Sequence, residues 1–236
     1  RDMQSHLEIY NEFCQSNEAF ACELLFKPAQ GSELIICSKD RPNLLYSFSA
    51  VLAFNKLNIV EANIHTLRDH VFDVFKIVSS EGTPINYADI FPLQNQIKND
   101  LKRVCVDQEP LSQIFKNRSL PISKEQTKAQ DIKLKIKLIG RSIKVETRDR
   151  LGTFMTLTGV FSQFNMEIQR AVLDTREGTA SNIFYMRPKD VRDITENKEH
   201  FLRTLKQALR QLIDSDEIIF KESSAPTIPT KPALAV

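Results

Sequence analysis

Ser38-Lys39-Asp40-Arg41-Pro42-Asn43-Leu44-Leu45 is answered 109 residues later by Thr147-Arg148-Asp149-Arg150-Leu151-Gly152-Thr153-Phe154. At the same spacing, without a gap, Ile59 meets Ile168, Ala62 meets Ala171, Thr66 meets Thr175 and Phe75 meets Phe184. Identities are few, but hydrophobic character agrees along the register. An ungapped internal repeat means one supersecondary unit built twice, and it fixes the frame for every other reading.

Working outward, Glu33 to Cys37 is a short apolar run of strand type. Asp40 suits a helix N-cap, and Pro42 is tolerated in a first turn. Leu44, Leu45, Phe48, Val51 and Leu52 then form an inward stripe on a helix from about Pro42 to Lys56. Two strands, Asn58 to Leu67 and Val71 to Ser79, flank the polar tip Arg68-Asp69-His70, and Glu81-Gly82-Thr83-Pro84 is a turn. A helix from about Asp89 to Val106 follows, then a polar insert over 107–130. Asp131 to Ile139 alternates aliphatic with lysine, the period of a half-buried strand, and is expected to close the first unit as β-α-β-β-α-β. The lysines of that strand, Lys133 included, read as a solvated face.

The second unit runs in the same order. Ser142 to Thr147 is a strand, Thr153 to Phe164 a helix, and Glu167 to Thr175 with Thr179 to Arg187 a hairpin around Glu177-Gly178. A strongly amphipathic helix at 197–214 and a last strand at Ile218 to Lys221 complete it. Ahead of both units, a helical stripe over residues 5–15 leads into a strand from Ala19 to Lys27. The chain opens on Arg1 with that helix already under way, so it is expected to be part of something longer.

The expected fold class is therefore α+β: two ferredoxin-like sandwiches packed as a pseudo-dimer, preceded by a helix and an extra strand. The expected division is 1–30 for the end of a preceding domain, 31–140 and 141–222 for the two units, and 223–236, with its three prolines, for a disordered tail.

Composition narrows the function. A net charge of +2 gives no reason to expect nucleic acid or an anionic membrane, and no apolar run reaches the ~20 residues of a membrane helix. Cys14, Cys22, Cys37 and Cys105 have no CxxC spacing and are expected to be buried, reduced thiols, which favours a cytoplasmic setting. The sequence has no P-loop, GxGxxG, GxSxG or HExxH pattern, and its four histidines lack metal-ligand spacing. Asp69-His70 sits at a hairpin tip, which encloses nothing.

What remains is the paired strand-to-helix turn. A helix N-terminus offers free N–H groups and suits a carboxylate, while Asp40 and Asp149 could accept from an ammonium. A free amino acid needs both. The plain alternative is that each Asp caps its helix and nothing binds.

Asp40-Arg41-Pro42-Asn43-Leu44-Leu45, with Leu57-Asn58-Ile59-Val60-Glu61-Ala62-Asn63-Ile64 and Asp73-Val74-Phe75 after it, resembles the ACT domain, a small module that binds amino acids. The helix, the extra strand, the two units and the long polar insert together resemble, over residues 5–222, the C-terminal region of the bacterial PII uridylyltransferase/uridylyl-removing enzymes. The resemblance implies a glutamine-sensing regulatory module with no catalytic activity of its own. Its parent would be bifunctional, adding UMP to the PII signal protein and removing it. No cofactor is implied for this stretch, and Mg2+ only for the parent's catalytic domains. The implied partners are glutamine or another amino acid and PII through the parent, with room for a second copy as a homodimer, and no nucleic acid and no membrane.

Carried over, a first ligand site would use Asp40, Arg41, Pro42, Asn43 and Leu44, facing Glu167 and Ile168 of the other unit. A second would use Asp149, Arg150, Leu151, Gly152 and Thr153, facing Asn58 and Ile59. Asn58 could serve a side-chain amide. Asn43 stands where the family usually has Gly, and Leu151 where it has Pro. Gly152 is expected to keep the second turn open, and Glu167 to repel a ligand carboxylate unless it pairs with the ligand's ammonium. The rival expectations are an interaction module that binds PII or itself without a small ligand, and an ACT pair that regulates a different amino-acid-controlled enzyme.

Overall fold

A computed structural model describes residues 2–27, 31–67, 69–121, 135–176, 179–187, 192, 194–214 and 217–218. The expected tail at 223–236, the tip Glu177-Gly178 and Lys133 lie outside the described residues.

The first sheet contains β1 (Phe20–Leu25), β2 (Ser32–Lys39), β3 (Leu57–Asn63), β4 (Thr66–Leu67) and β5 (His70–Ser79). Its order is β1-β2-β5-β3, with β4 paired to the start of β5. The second contains β7 (Lys135–Ile139), β8 (Ser142–Arg148), β9 (Ile168–Arg176) and β10 (Thr179–Met186), in the matching order β7-β8-β10-β9. All pairings are antiparallel. The helices are α1 (Asp2–Gln15), α2 (Leu44–Phe54), α3 (Tyr87–Cys105), the single turn α4 (Leu111–Ile114), α5 (Thr153–Gln163) and α6 (Lys198–Asp214).

The α+β class and the two ferredoxin-like strand orders are those expected, but the outer strand of each sheet comes from the other end of its unit. Lys135–Ile139, expected to close the first unit, instead pairs with β8. Ile139 and Ser142 face each other across the two-residue turn Gly140-Arg141, with Gly140 at φ 55. A turn that short forms a hairpin with the next strand. Likewise β1 pairs with β2 from Phe20↔Ser38 to Leu25↔Glu33, so the strand expected outside the first unit is its edge. Each unit thus reads β-β-α-β-β-α. Of the last expected strand, Ile218 to Lys221, only Ile218 lies among the described residues, in β11 (Glu217–Ile218), which pairs with β6 (Leu120–Pro121) in the connection between units.

Period-two alternation decides which side of the first sheet each residue serves. Leu34, Ile36, Phe75 and Ile77 pack beneath α2 and α3. Ile35, Cys37, Phe72 and Val74 point the other way and are covered by Phe13 of α1, with the Tyr10 and Phe72 rings edge to face at 5.4 Å. Ile9, Tyr10 and Phe13 of α1 and the strand β1 are therefore part of the first sandwich's packing. In the second unit Phe161, Phe184 and Phe201 are fully buried between α5, α6 and the sheet. Burying such a ring stabilises by roughly 1.5–3 kcal/mol. Of the cysteines expected to be buried, Cys37 is, Cys22 and Cys105 are partly covered, and Cys14 is exposed on α1.

The duplication is visible in backbone detail. Gly31 and Gly140, Asn43 and Gly152, and Lys56 and Asn165 all have positive φ and are 109 residues apart. The register slips between Ile59 and Glu61 in β3 and between Arg170 and Ile168 in β9, at equivalent positions. Ser49 and Thr158, also equivalents, meet at 3.4 Å where α2 packs on α5, and β3 runs against β9. A pseudo-twofold axis thus passes between two sheets set edge to edge, which covers edges that would otherwise invite further pairing. The helices approach closely enough that a Cβ on Gly159 would lie 3.0 Å from the Tyr46 ring.

Candidate functional site

The turn from β2 to α2 is tied at its base, where the Asp40 N–H donates to the Asp69 carbonyl at 2.7 Å. Asn43, expected to stand in a glycine position, takes the left-handed conformation (φ 70, ψ 9) and makes no side-chain cap. Asn is among the few residues that accept it. The N–H groups of the first turn are left for another partner. The Asn43 amide oxygen instead accepts from the Ser162 hydroxyl of α5, so this turn reaches across the seam. The Arg41 guanidinium points elsewhere: it donates to the Val104 carbonyl at the end of α3, a favourable place for a cation.

Between this turn and the second unit lies a cavity of ≈ 370 Å³. Asp40 to Tyr46 form one wall; Thr158, Phe161 and Ser162 of α5, with Asn165 to Ile168 and Arg187, form the other. Ile64, Thr66, Val71 and Asp73 make the floor. Glu167, expected to repel a ligand carboxylate unless it pairs with the ligand's ammonium, is held by Arg187. All seven residues expected for the first site, Asp40 through Leu44 with Glu167 and Ile168, line this one cavity.

Asp73 was not anticipated. It is 1% exposed, and its Oδ1 accepts from the His65 N–H at 3.2 Å. Burial pushes its carboxyl up to about 8; the His65 hydrogen bond works against the rise, and the nearby Asp40 adds to it. A signal existed in the sequence: Asp73 occupies an inward position of β5, between Val71 and Phe75, where an acid is out of place.

The second turn has the same backbone, with Gly152 at φ 88 and ψ −4, and different surroundings. Arg150, Leu151, Gly152 and Thr153 are all buried. The turn closes on itself, the Arg150 N–H donating to Thr153 Oγ1 at 3.2 Å and the Thr153 N–H to the Arg150 carbonyl at 3.0 Å. The Asn58 amide donates to Asp149, whose carboxyl is raised mainly by burial and held back by that bond and by the Arg150 N–H. Asn58, expected to meet a ligand amide, meets Asp149. The half-buried Ile59 follows it on β3. Gly152 therefore sets the turn's shape without leaving it open.

Among the described residues no group of three or more His, Cys, Asp or Glu side chains is placed to hold a metal ion, and no helix is long and apolar enough to cross a membrane. The Asp69–His70 contact, 2.9 Å, stands by itself at the hairpin tip.

No protein-family profile matches the chain. It is similar to the bifunctional uridylyltransferase/uridylyl-removing enzyme of Ruegeria pomeroyi, 29% identical over 181 residues, and to that of Cereibacter sphaeroides, 28% identical over 185 residues. Each match covers 74% of this chain, which spans 19% of the length of either relative. Among solved structures, aspartate kinase from Synechocystis matches at 12% identity over 79% of this chain and 28% of that one, with a TM-score of 0.40.

Proposed function

We propose that this chain is the amino-acid-sensing part of a longer enzyme, that glutamine is its ligand, and that ligand binding controls uridylylation and deuridylylation of the PII signal protein by that enzyme. The observation that carries the reading is the seam cavity, whose walls come from both units, so that any occupant bridges them. The ligand carboxylate would lie at the uncapped first turn of α2, where free N–H groups and the helix dipole favour an anion. Its ammonium would lie toward Asp40. Similarity to the uridylyltransferase/uridylyl-removing enzymes over 74% of the chain supports the choice of parent and of nitrogen signal. Binding would tighten α2 against α5 and favour the arrangement of the parent in which the units are closed. The bias it exerts is limited to its difference in affinity for the two arrangements.

Calorimetry and thermal unfolding with L-glutamine test this. At a hundredfold excess over Kd the chain should gain about 2.7 kcal/mol, raising Tm by roughly 5–10 °C. Gly159→Leu, which drives a side chain into the Tyr46 ring and spreads the seam, should weaken binding at least tenfold. Neither heat nor a Tm shift with millimolar glutamine would end the proposal.

A second reading, docking of PII or of another copy without a small ligand, is favoured by Tyr87 and Phe91. They are 75% and 71% exposed one turn apart on α3, and Phe26 packs against Tyr87. Light scattering that gives a stable dimer indifferent to amino acids would select it.

A further inference from the structure

We propose that Asp73 reads the ligand of the first seam: with Asp40 it takes the ligand's α-ammonium, so that the site admits molecules with a free amino group and releases a proton when they bind. This deepens the sensing proposal and rests on it.

Three observations point there. Asp73 forms part of the cavity floor although it is almost wholly buried, and its only hydrogen bond among the described residues is the one Oδ1 receives from His65. Oδ2 receives no hydrogen bond among the described residues and is not one of the fully enclosed unpartnered atoms, so what it meets is the cavity itself. Second, the two described cations that line the cavity are each turned to another group. Across the cavity Arg187 holds Glu167, and on its own side Arg41 holds the Val104 carbonyl. His65 contributes its backbone N–H, Asp40 adds a second negative group, and α2 and β2 contribute the apolar Leu44, Phe48 and Ile36. Third, the equivalent residue of the second unit, 109 positions on, is Asn182, also buried. The acid is thus present in the unit whose turn borders the cavity, and a neutral amide in the unit whose turn is closed.

The proton balance follows. With its carboxyl raised to about 8, Asp73 is mostly a neutral acid at pH 7 in the empty site. An arriving ammonium pairs with the carboxylate, and the carboxylic proton passes to solvent, about one per ligand. Affinity should therefore rise about tenfold from pH 6.5 to 7.5. It should fall again at higher pH, where the ligand's own ammonium is lost.

The test is calorimetry of the 236-residue chain with L-glutamine in two buffers of different ionisation heat, at pH 6.5 and 7.5. It is repeated with N-acetyl-L-glutamine and with Asp73→Asn. The natural chain should release close to one proton and ignore the acetylated ligand. The variant, whose asparagine has its counterpart in Asn182, should release none, show a flat pH profile and bind at least tenfold more weakly at pH 7.5. Glutamine binding by the natural chain without proton release, or equal binding by Asp73→Asn, overturns the role of Asp73 and leaves the sensing site standing. No binding by the natural chain overturns both.

Discussion

The two strand-to-helix turns share a backbone and differ in everything around it. Asn43 and Gly152 hold the same left-handed conformation, yet the first turn borders a cavity shared with the neighbouring unit and the second is packed shut. Asp40 is exposed at the mouth of its cavity, whereas its counterpart Asp149 is bonded to Asn58 across the seam. Duplication has preserved the glycine-like turns and the strand bulges, which set the path of the chain. The side chains that fill or leave space have diverged. One seam is thus a built brace and the other an available site, and in the proposed sensor the brace is what the ligand pivots against.

The largest test asks whether the two halves stand or fall together. Phe75 and Phe184 are equivalents, both fully buried, Phe75 edge to face with Phe48 and Phe184 stacked on Phe154 in their own units' cores. Truncating either to Ala should cost about 3–5 kcal/mol. If the seam binds the units into one cooperative body, urea unfolding followed by fluorescence and by circular dichroism will show one transition, displaced about equally by Phe75→Ala and Phe184→Ala. Two transitions, each sensitive to one variant, would mean that the brace is weak.

Asn58→Ala breaks the brace itself. It leaves the half-buried Asp149 carboxylate without its cross-unit donor, a loss of about 1–3 kcal/mol. The pH dependence has a definite sign. Burial already raises Asp149 above its unfolded value, so the folded chain keeps the proton longer than the unfolded chain does. Stability therefore falls as pH climbs through that window. Asn58 favours the ionised form and limits the fall, so removing it should matter little near pH 4 and most above neutrality. Thermal unfolding from pH 4 to 8 measures this; a loss of equal size at every pH would show that the bond does not involve the carboxylate.

Much of this was legible in the sequence. The 109-residue register marked the duplication and the paired helices α2 and α5, while the meeting of a turn with the neighbouring unit's strand was implied by the ACT resemblance. Strand allocation was less legible, because alternation over Asp131 to Ile139 reveals a half-buried strand but no partner. Both ends of a ferredoxin-like unit reach the same sheet edge, so either can supply the outer strand. Here the two-residue turn at Gly140-Arg141 decides it. The openness of each turn was illegible locally. Glycine permits a positive φ, which Asn43 achieves as well, but the space beside the turn is determined by Asn58, Phe161, Ser162 and Arg187, none of them close in sequence. Asp73 was missed although its signal lay in the sequence: an acid between Val71 and Phe75 on an inward strand face is out of place in a core.

The smallest test exchanges the two turn residues. Asn43→Gly relieves a left-handed side chain, but it frees the unfolded backbone and removes the bond from Ser162; terms of about 1 kcal/mol oppose one another, and the net change should stay within about 1 kcal/mol. Gly152→Asn asks more of its surroundings, since the new amide would enter a turn whose residues are all buried, with its polar groups to satisfy. It should be the worse of the pair by about 1 kcal/mol, although Gly152 and not Asn43 matches the ACT pattern. Melting temperatures of the two single variants read the difference directly. Equal penalties would mean that the packing around the second turn yields as readily as open solvent, and the contrast between a braced seam and an available one would reduce to backbone shape.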